Sequence, residues 1–165
     1  MSDTKIEKTA PFSGKVRVRA CGILVKDRKI LLLRHHSIGP RRYLWSPPGG
    51  GVLFGQSLHE TLRREFLEET NLTIDVGEYL FTNEYIDNQY HAIELFFTVK
   101  YCSGKLKLGI DPELSSSDQI LTEARFLSCQ EIEKIPKDAL HSIFSSTSDW
   151  KEILNIQGLI TFNAY

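Results

Sequence analysis

Cysteine is scarce in this chain. Cys21, Cys102 and Cys129 are odd in number and form no C-x-x-C pair. That spacing argues against a zinc site or a disulfide framework, and free thiols suit a reducing compartment, so the cytoplasm is the expected setting. No apolar run approaches the roughly 20 residues of a membrane span, and Met1 to Gly14 holds no apolar core of signal-peptide length. A membrane partner is therefore not expected. A surplus of one charge is missing as well: 20 Lys and Arg face 21 Asp and Glu, for a net charge of -1. A protein built mainly to hold nucleic acid would carry a basic excess, so nucleic acid is not expected as a partner either. Internal repeats and low-complexity tracts are also lacking. What is present, 165 residues with 41% hydrophobic and 25% charged content, suffices for one globular domain with a buried core.

Residues 1–14, punctuated by Pro11 and Gly14, are expected to form a loose leader, and 15–165 a single domain. Val16 to Val25 and Ile30 to Leu33 predict two paired strands around the polar break Lys26-Asp27-Arg28-Lys29. Residues 35–42 predict a loop, and Tyr43-Leu44-Trp45 a short strand. Pro47-Pro48-Gly49-Gly50-Gly51 predicts a turn with exposed backbone groups. Ser57 and Glu60 have the spacing of a capping box and open a helix whose buried stripe is Leu58, Leu62 and Phe66. That helix should end near Thr70, with Asn71 as a left-handed cap. Strands are expected over Leu72–Phe81, Ala92–Tyr101 and Ile120–Leu127. Short helices should begin near Gln130, Lys137 and Asp149, before a β-prone tail from Gly158 to Tyr165. The pattern predicts a mixed sheet with helices packed on it, an α/β (α+β) layered domain.

Chemistry concentrates between Gly49 and Leu72. Glu65, Glu68 and Glu69 stand at i, i+3 and i+4 and span an arc of roughly 100° on the helix, at the margin of the apolar stripe. Three carboxylates this close repel one another, and a hard divalent cation removes that cost. All-oxygen ligation favours Mg²⁺, with Mn²⁺ an acceptable substitute, over zinc. The plainer alternative is a solvated face on which Arg64 pairs with Glu60 or Glu68. The glycine turn at a fixed distance upstream favours the cation.

These residues resemble the signature of the Nudix hydrolases, G-x5-E-x7-R-E-U-x-E-E-x-G-U, with U a bulky aliphatic residue. Gly50, Arg64, Glu65, Glu68, Glu69 and Leu72 stand at matching positions, and Trp45-Ser46-Pro47-Pro48-Gly49-Gly50 resembles the family's lead-in. Three positions depart from it: Gln56 replaces a Glu, Asn71 a Gly, and Phe66 an aliphatic residue. Gln56 matters most, because an amide oxygen brings no charge to a cation.

The resemblance implies a Nudix-type α/β/α sandwich with a mixed β-sheet. It implies a Mg²⁺-dependent pyrophosphohydrolase acting on a nucleoside diphosphate derivative, ADP-ribose-like or a nucleotide sugar, with nucleoside triphosphates as a further class. Glu65, Glu68, Glu69 and the Gly49 carbonyl would hold metal, and Arg64 would orient the acids. A general base is not fixed by the motif: Glu65, Glu113 and Glu123 are candidates. Arg41, Arg42 and Tyr85 are candidates for substrate contact, the tyrosine by stacking on a base. The family also admits a homodimer. Gln56 keeps open the alternative of a non-catalytic nucleotide-sensing domain.

Overall fold

A computed structural model describes residues 13–110, 112 and 114–163. Most of the expected leader and Glu113 lie outside the described residues. Strands β1 (Val16–Lys26) and β2 (Lys29–His36) pair as Val25↔Ile30 and Lys26↔Lys29. Asp27 (φ 51°) and Arg28 (φ 61°) form the two-residue connection. Positive φ at both positions is what a type I′ hairpin turn requires. β2 continues through His35 and His36, where the sequence predicts loop, because both pair with β3 (Tyr43–Ser46).

The glycine run corrects a second expectation. Gly49–Gly51 is a short strand, β4, paired antiparallel with β1 at Arg19↔Gly51, Ala20↔Gly50 and Cys21↔Gly49. Helix α1 (Leu58–Thr70) follows, with the Ser57/Glu60 capping box formed and Asn71 left-handed at φ 58°. The Asn71 amide also donates to Lys105 O at 3.1 Å, so this residue ties the helix end to a loop 34 residues further along the chain. β5 (Leu72–Ile86) and β6 (His91–Gly104) run further than expected and pair antiparallel. β7 (Leu121–Leu127) joins β2. Two short helices, α2 (Cys129–Glu133) and α3 (Trp150–Leu154), bracket single 3-10 turns at Lys137–Ala139 and Ser142–Phe144. β8 (Gly158–Asn163) gives the β-prone tail its place, parallel to β5.

The sheet order is β3-β2-β1-β6-β5-β8, with β4 on β1 and β7 on β2. β1 and β6 are parallel while most other pairs are antiparallel, so the sheet is mixed. Successive strand residues face opposite sides. Ala20, Leu24, Leu31 and Phe97 accordingly pack with Leu62 and Phe66 of α1, whereas Cys21, Ile23, Leu32 and Phe96 pack with Ile132 of α2 and Ile153 of α3. Helices thus cover both faces, the sandwich expected from the sequence. Phe66 fits because Gly22 lies opposite it: a Cβ at Gly22 would stand 2.6 Å from the Phe66 ring.

Candidate active site

Every second residue at one end of the sheet faces a cleft of about 1150 Å³. Its floor consists of registered cross-strand rows. Arg19 and Glu94 are neighbours on β1 and β6, with Asn83 buried beside Glu94 on β5, and Arg17, Ala92, Tyr85 and Phe162 form the next row across β1, β6, β5 and β8. Helix α1 lies on the opposite face, yet Glu65 and Glu69 line the cleft. β4 makes that possible. A Cβ at Gly50 would sit 2.3 Å from the Glu65 carboxylate, and one at Gly49 would sit 2.3 Å from Ala20 O. Gly49 also has φ 151°, a conformation that L side chains rarely adopt. The three glycines therefore form a gap in the side-chain layer through which acids on one side of the sheet reach a cleft on the other.

The acids are held in detail. Glu69 Oε2 accepts from Gly49 N at 3.0 Å. Arg64 Nη1 reaches Glu65 Oε1 at 2.8 Å and Glu68 Oε2 at 3.0 Å, so two carboxylates converge on one nitrogen. Its Nη2 donates to Gly51 O at 3.1 Å, and its Nε donates to Gln56 Oε1 at 3.2 Å. Gln56 Oε1 also accepts from Thr61 Oγ1 at 2.9 Å. The amide thus faces Arg64, a duty its neutral oxygen can perform without the charge of Glu. Burial, together with the like charge of Glu68, pushes the Glu65 carboxyl up to about 7 against the pull of Arg64 and Arg19. Among the described residues no three carboxylate, imidazole or thiolate groups are gathered into a ready cation cage. The donor set nevertheless fits a hard cation: oxygens only, two already sharing a single positive nitrogen, and one carboxyl that holds a proton near neutrality when no other charge compensates it.

The cleft floor contributes groups that carry no motif. Glu94 is 4% exposed. Its Oε2 accepts from Asn83 Nδ2 at 2.9 Å and His141 Nε2 at 2.8 Å, and its Oε1 lies 3.7 Å from Arg19 Nη1. Burial pushes this carboxyl up, but His141, Arg19 and Asn83 outweigh it and hold the group at about 2. Arg19 Nη2 donates to Gly49 O at 3.0 Å, the carbonyl assigned by resemblance as a metal ligand. Burial and Arg19 lower His35 to about 4, which keeps it neutral. Burial raises the Cys21 thiol, so this cleft residue is unsuited to act as a nucleophile.

Of the residues expected to contact substrate, Tyr85 lines the cleft, its hydroxyl donating to Asp87 Oδ2 at 2.8 Å. Arg41 is instead ion-paired with Asp138 on an exposed loop, and Arg42 sits at φ 60° in the turn closed by its carbonyl on Ser37 N. Neither lines the cleft, where the cations near the acids are Arg17 and Arg19. Glu123 sits on β7 beside Arg125 and outside the cleft lining. Sequence reasoning passed over Arg17, Arg19, Glu94 and His141. One trace was available: Arg17 and Arg19 alternate along a strand, and Glu94 is a lone acid within an apolar run.

The chain is similar to known proteins in sequence and in fold. The NUDIX domain family matches residues 15–145. An ADP-ribose pyrophosphatase of Methanocaldococcus jannaschii is 30% identical over 132 residues, covering 79% of this chain and 72% of the relative. A MutT NUDIX hydrolase structure from Burkholderia pseudomallei superposes with a TM-score of 0.63 at 21% identity, covering 85% of this chain and 96% of that one. A NUDIX hydrolase from Nitrosomonas europaea gives 0.62 at 21% identity, covering 88% and 79%. At such identities the two structures speak for the fold.

Proposed function

Because the chain belongs to the Nudix family and is a hydrolase of pyrophosphate bonds, we propose that it cleaves the diphosphate linkage of a nucleoside diphosphate derivative, using Mg²⁺ or, in its place, Mn²⁺. An ADP-ribose-like compound or a nucleotide sugar heads the substrate classes, with nucleoside triphosphates second. The observation that carries this reading is the convergence of Glu65 and Glu68 on one nitrogen of Arg64, beside Glu69 and the glycine strand, at the wall of a cleft large enough for a nucleotide.

Glu65, Glu68, Glu69 and the Gly49 carbonyl would hold the cation. When bound, it supplies positive charge against the diphosphate and lowers the pKa of an attached water. Arg64 fixes the carboxylates through charge-assisted hydrogen bonds, and Gln56 fixes Arg64. Arg17 and Arg19 offer guanidinium groups to phosphate oxygens on the side of the cleft nearest the acids. Glu65, at the cleft wall beside the cation site, is the candidate to take a proton from an attacking water. Tyr85 presents a flat face for the nucleoside.

The test is turnover of a panel of nucleoside diphosphate sugars, ADP-ribose and nucleoside triphosphates, with each cation titrated. Glu69→Gln should lower kcat roughly 100-fold or more, because it removes charge from the cation site while leaving the fold intact. Tight nucleotide binding with no turnover at any Mg²⁺ or Mn²⁺ concentration would instead make the chain a nucleotide sensor.

A further inference from the structure

The match to the family ends at residue 145, but the cleft does not. β8 lies beyond that point, pairs parallel with β5 in the register Tyr85↔Phe162, and places Phe162 in the cleft lining. The Tyr85 and Phe162 rings are stacked, with centroids 5.6 Å apart and planes 6° from parallel. Thr161 Oγ1 donates to Glu84 Oε2 at 3.3 Å and helps hold β8 in that register. The Tyr85 ring is thereby fixed at two points, by Phe162 behind it and by Asp87 at its hydroxyl.

The other neighbour of Tyr85 in the row is Ala92 on β6, followed by Arg17 on β1. Neighbouring strands lie about 4.8 Å apart, so Tyr85 and Arg17 stand roughly 9.6 Å apart with only a methyl group between them. A flat ring packed between two surfaces needs about 7 Å, two contacts of ~3.5 Å. The gap over Ala92 therefore takes one planar ring. Arg17 leans away from it, its Nη2 2.8 Å from where a Cβ on Gly51 would stand, and so points to the wall that carries the acids.

We propose that β8 is a specificity element of this cleft: Phe162 holds Tyr85 so that the heteroaromatic ring of a nucleoside stacks on its far face, above Ala92, with the phosphates leading past Arg17 to the glycine strand. Phe162 is a positioning residue and Tyr85 the contact. The inference rests on the nucleotide reading above, and it assigns the preference for base-bearing over base-free ligands to a segment beyond the matched family region.

Calorimetry with AMP and with ribose 5-phosphate tests it without turnover or metal. The wild type should bind AMP at least tenfold more tightly. Phe162→Ala should erase most of that preference while leaving ribose 5-phosphate affinity unchanged, and Phe162→Trp should restore it. In turnover, Phe162→Ala should raise KM for base-bearing substrates about tenfold with kcat within twofold. Ala92→Leu fills the gap without touching β8 and should cause the same selective loss, which keeps the test decisive if Phe162→Ala unfolds. Equal affinities in the wild type, or equal losses for both ligands in Phe162→Ala or Ala92→Leu, would overturn the proposal. Failure of the hydrolase reading registers separately, as a wild type that turns over no diphosphate.

Discussion

Glu94 remains ionised at the cleft floor because donors meet it on both oxygens: Asn83 and His141 at Oε2, Arg19 facing Oε1. Ile143 N donates to His141 Nδ1 at 3.3 Å, which leaves Nε2 to carry the proton given to Glu94. A carboxyl held at about 2 in the fold, against ~4.3 in an unfolded chain, contributes stability that is fully present above the unfolded value and is lost as pH falls towards 2. Glu94→Gln should cost about 3 kcal/mol at pH 7, because Arg19 then loses its counter-charge. The gap between wild type and variant in urea midpoint should shrink steadily below pH 4; a gap that stays constant from pH 7 to pH 3 contradicts this account. Little of the network is legible in the sequence. Glu94 and His141 are 47 residues apart, and only strand register brings Arg19 and Asn83 beside them. Arg41 and Arg42 show the converse: they stand near the motif in sequence, yet Asp138 and a tight turn hold them outside the cleft lining.

Among the elements, α1 was the most legible, because its signals are local: a capping box, apolar residues at intervals of four, and an Asn that accepts the left-handed cap. Its partner across the core was not legible. Phe66 reads in the sequence as an oversized residue in the stripe, and the glycine that accommodates it lies on β1, 44 positions upstream by residue number. Gly22→Ala should therefore destabilise the protein by about 1–3 kcal/mol through overpacking. Phe66→Leu alone should cost a comparable amount as a cavity, and the double variant should recover much of both losses. Denaturant midpoints of the four proteins give the coupling directly, and strictly additive costs would mean that the two residues do not share that space. The glycine strand was misread for a related reason. A run of glycines has no strand preference of its own, and β4 exists because the edge of β1 offers backbone partners to Gly49–Gly51.

Across the whole molecule, the sheet separates the helix that carries the acids from the cleft that would receive the substrate. β4 connects the two because it lacks side chains. Ligand binding should accordingly bridge both layers and stabilise them together. A Mg²⁺–diphosphate complex at about 100 times its dissociation constant adds roughly 2.7 kcal/mol. For a chain of this length that is about 5–10 °C in Tm. Gly50→Ala tests the bridge, because its methyl would occupy the place of the Glu65 carboxylate, 2.3 Å away, while the β4 backbone pairing to β1 remains available. The variant should melt within a few degrees of the wild type when free and lose most of the rise produced by Mg²⁺ with a non-hydrolysable ADP-ribose analogue. Retention of the full rise in Gly50→Ala would mean that Glu65 does not need the gap in β4 to engage the ligand, and that the acids act from elsewhere on the helix.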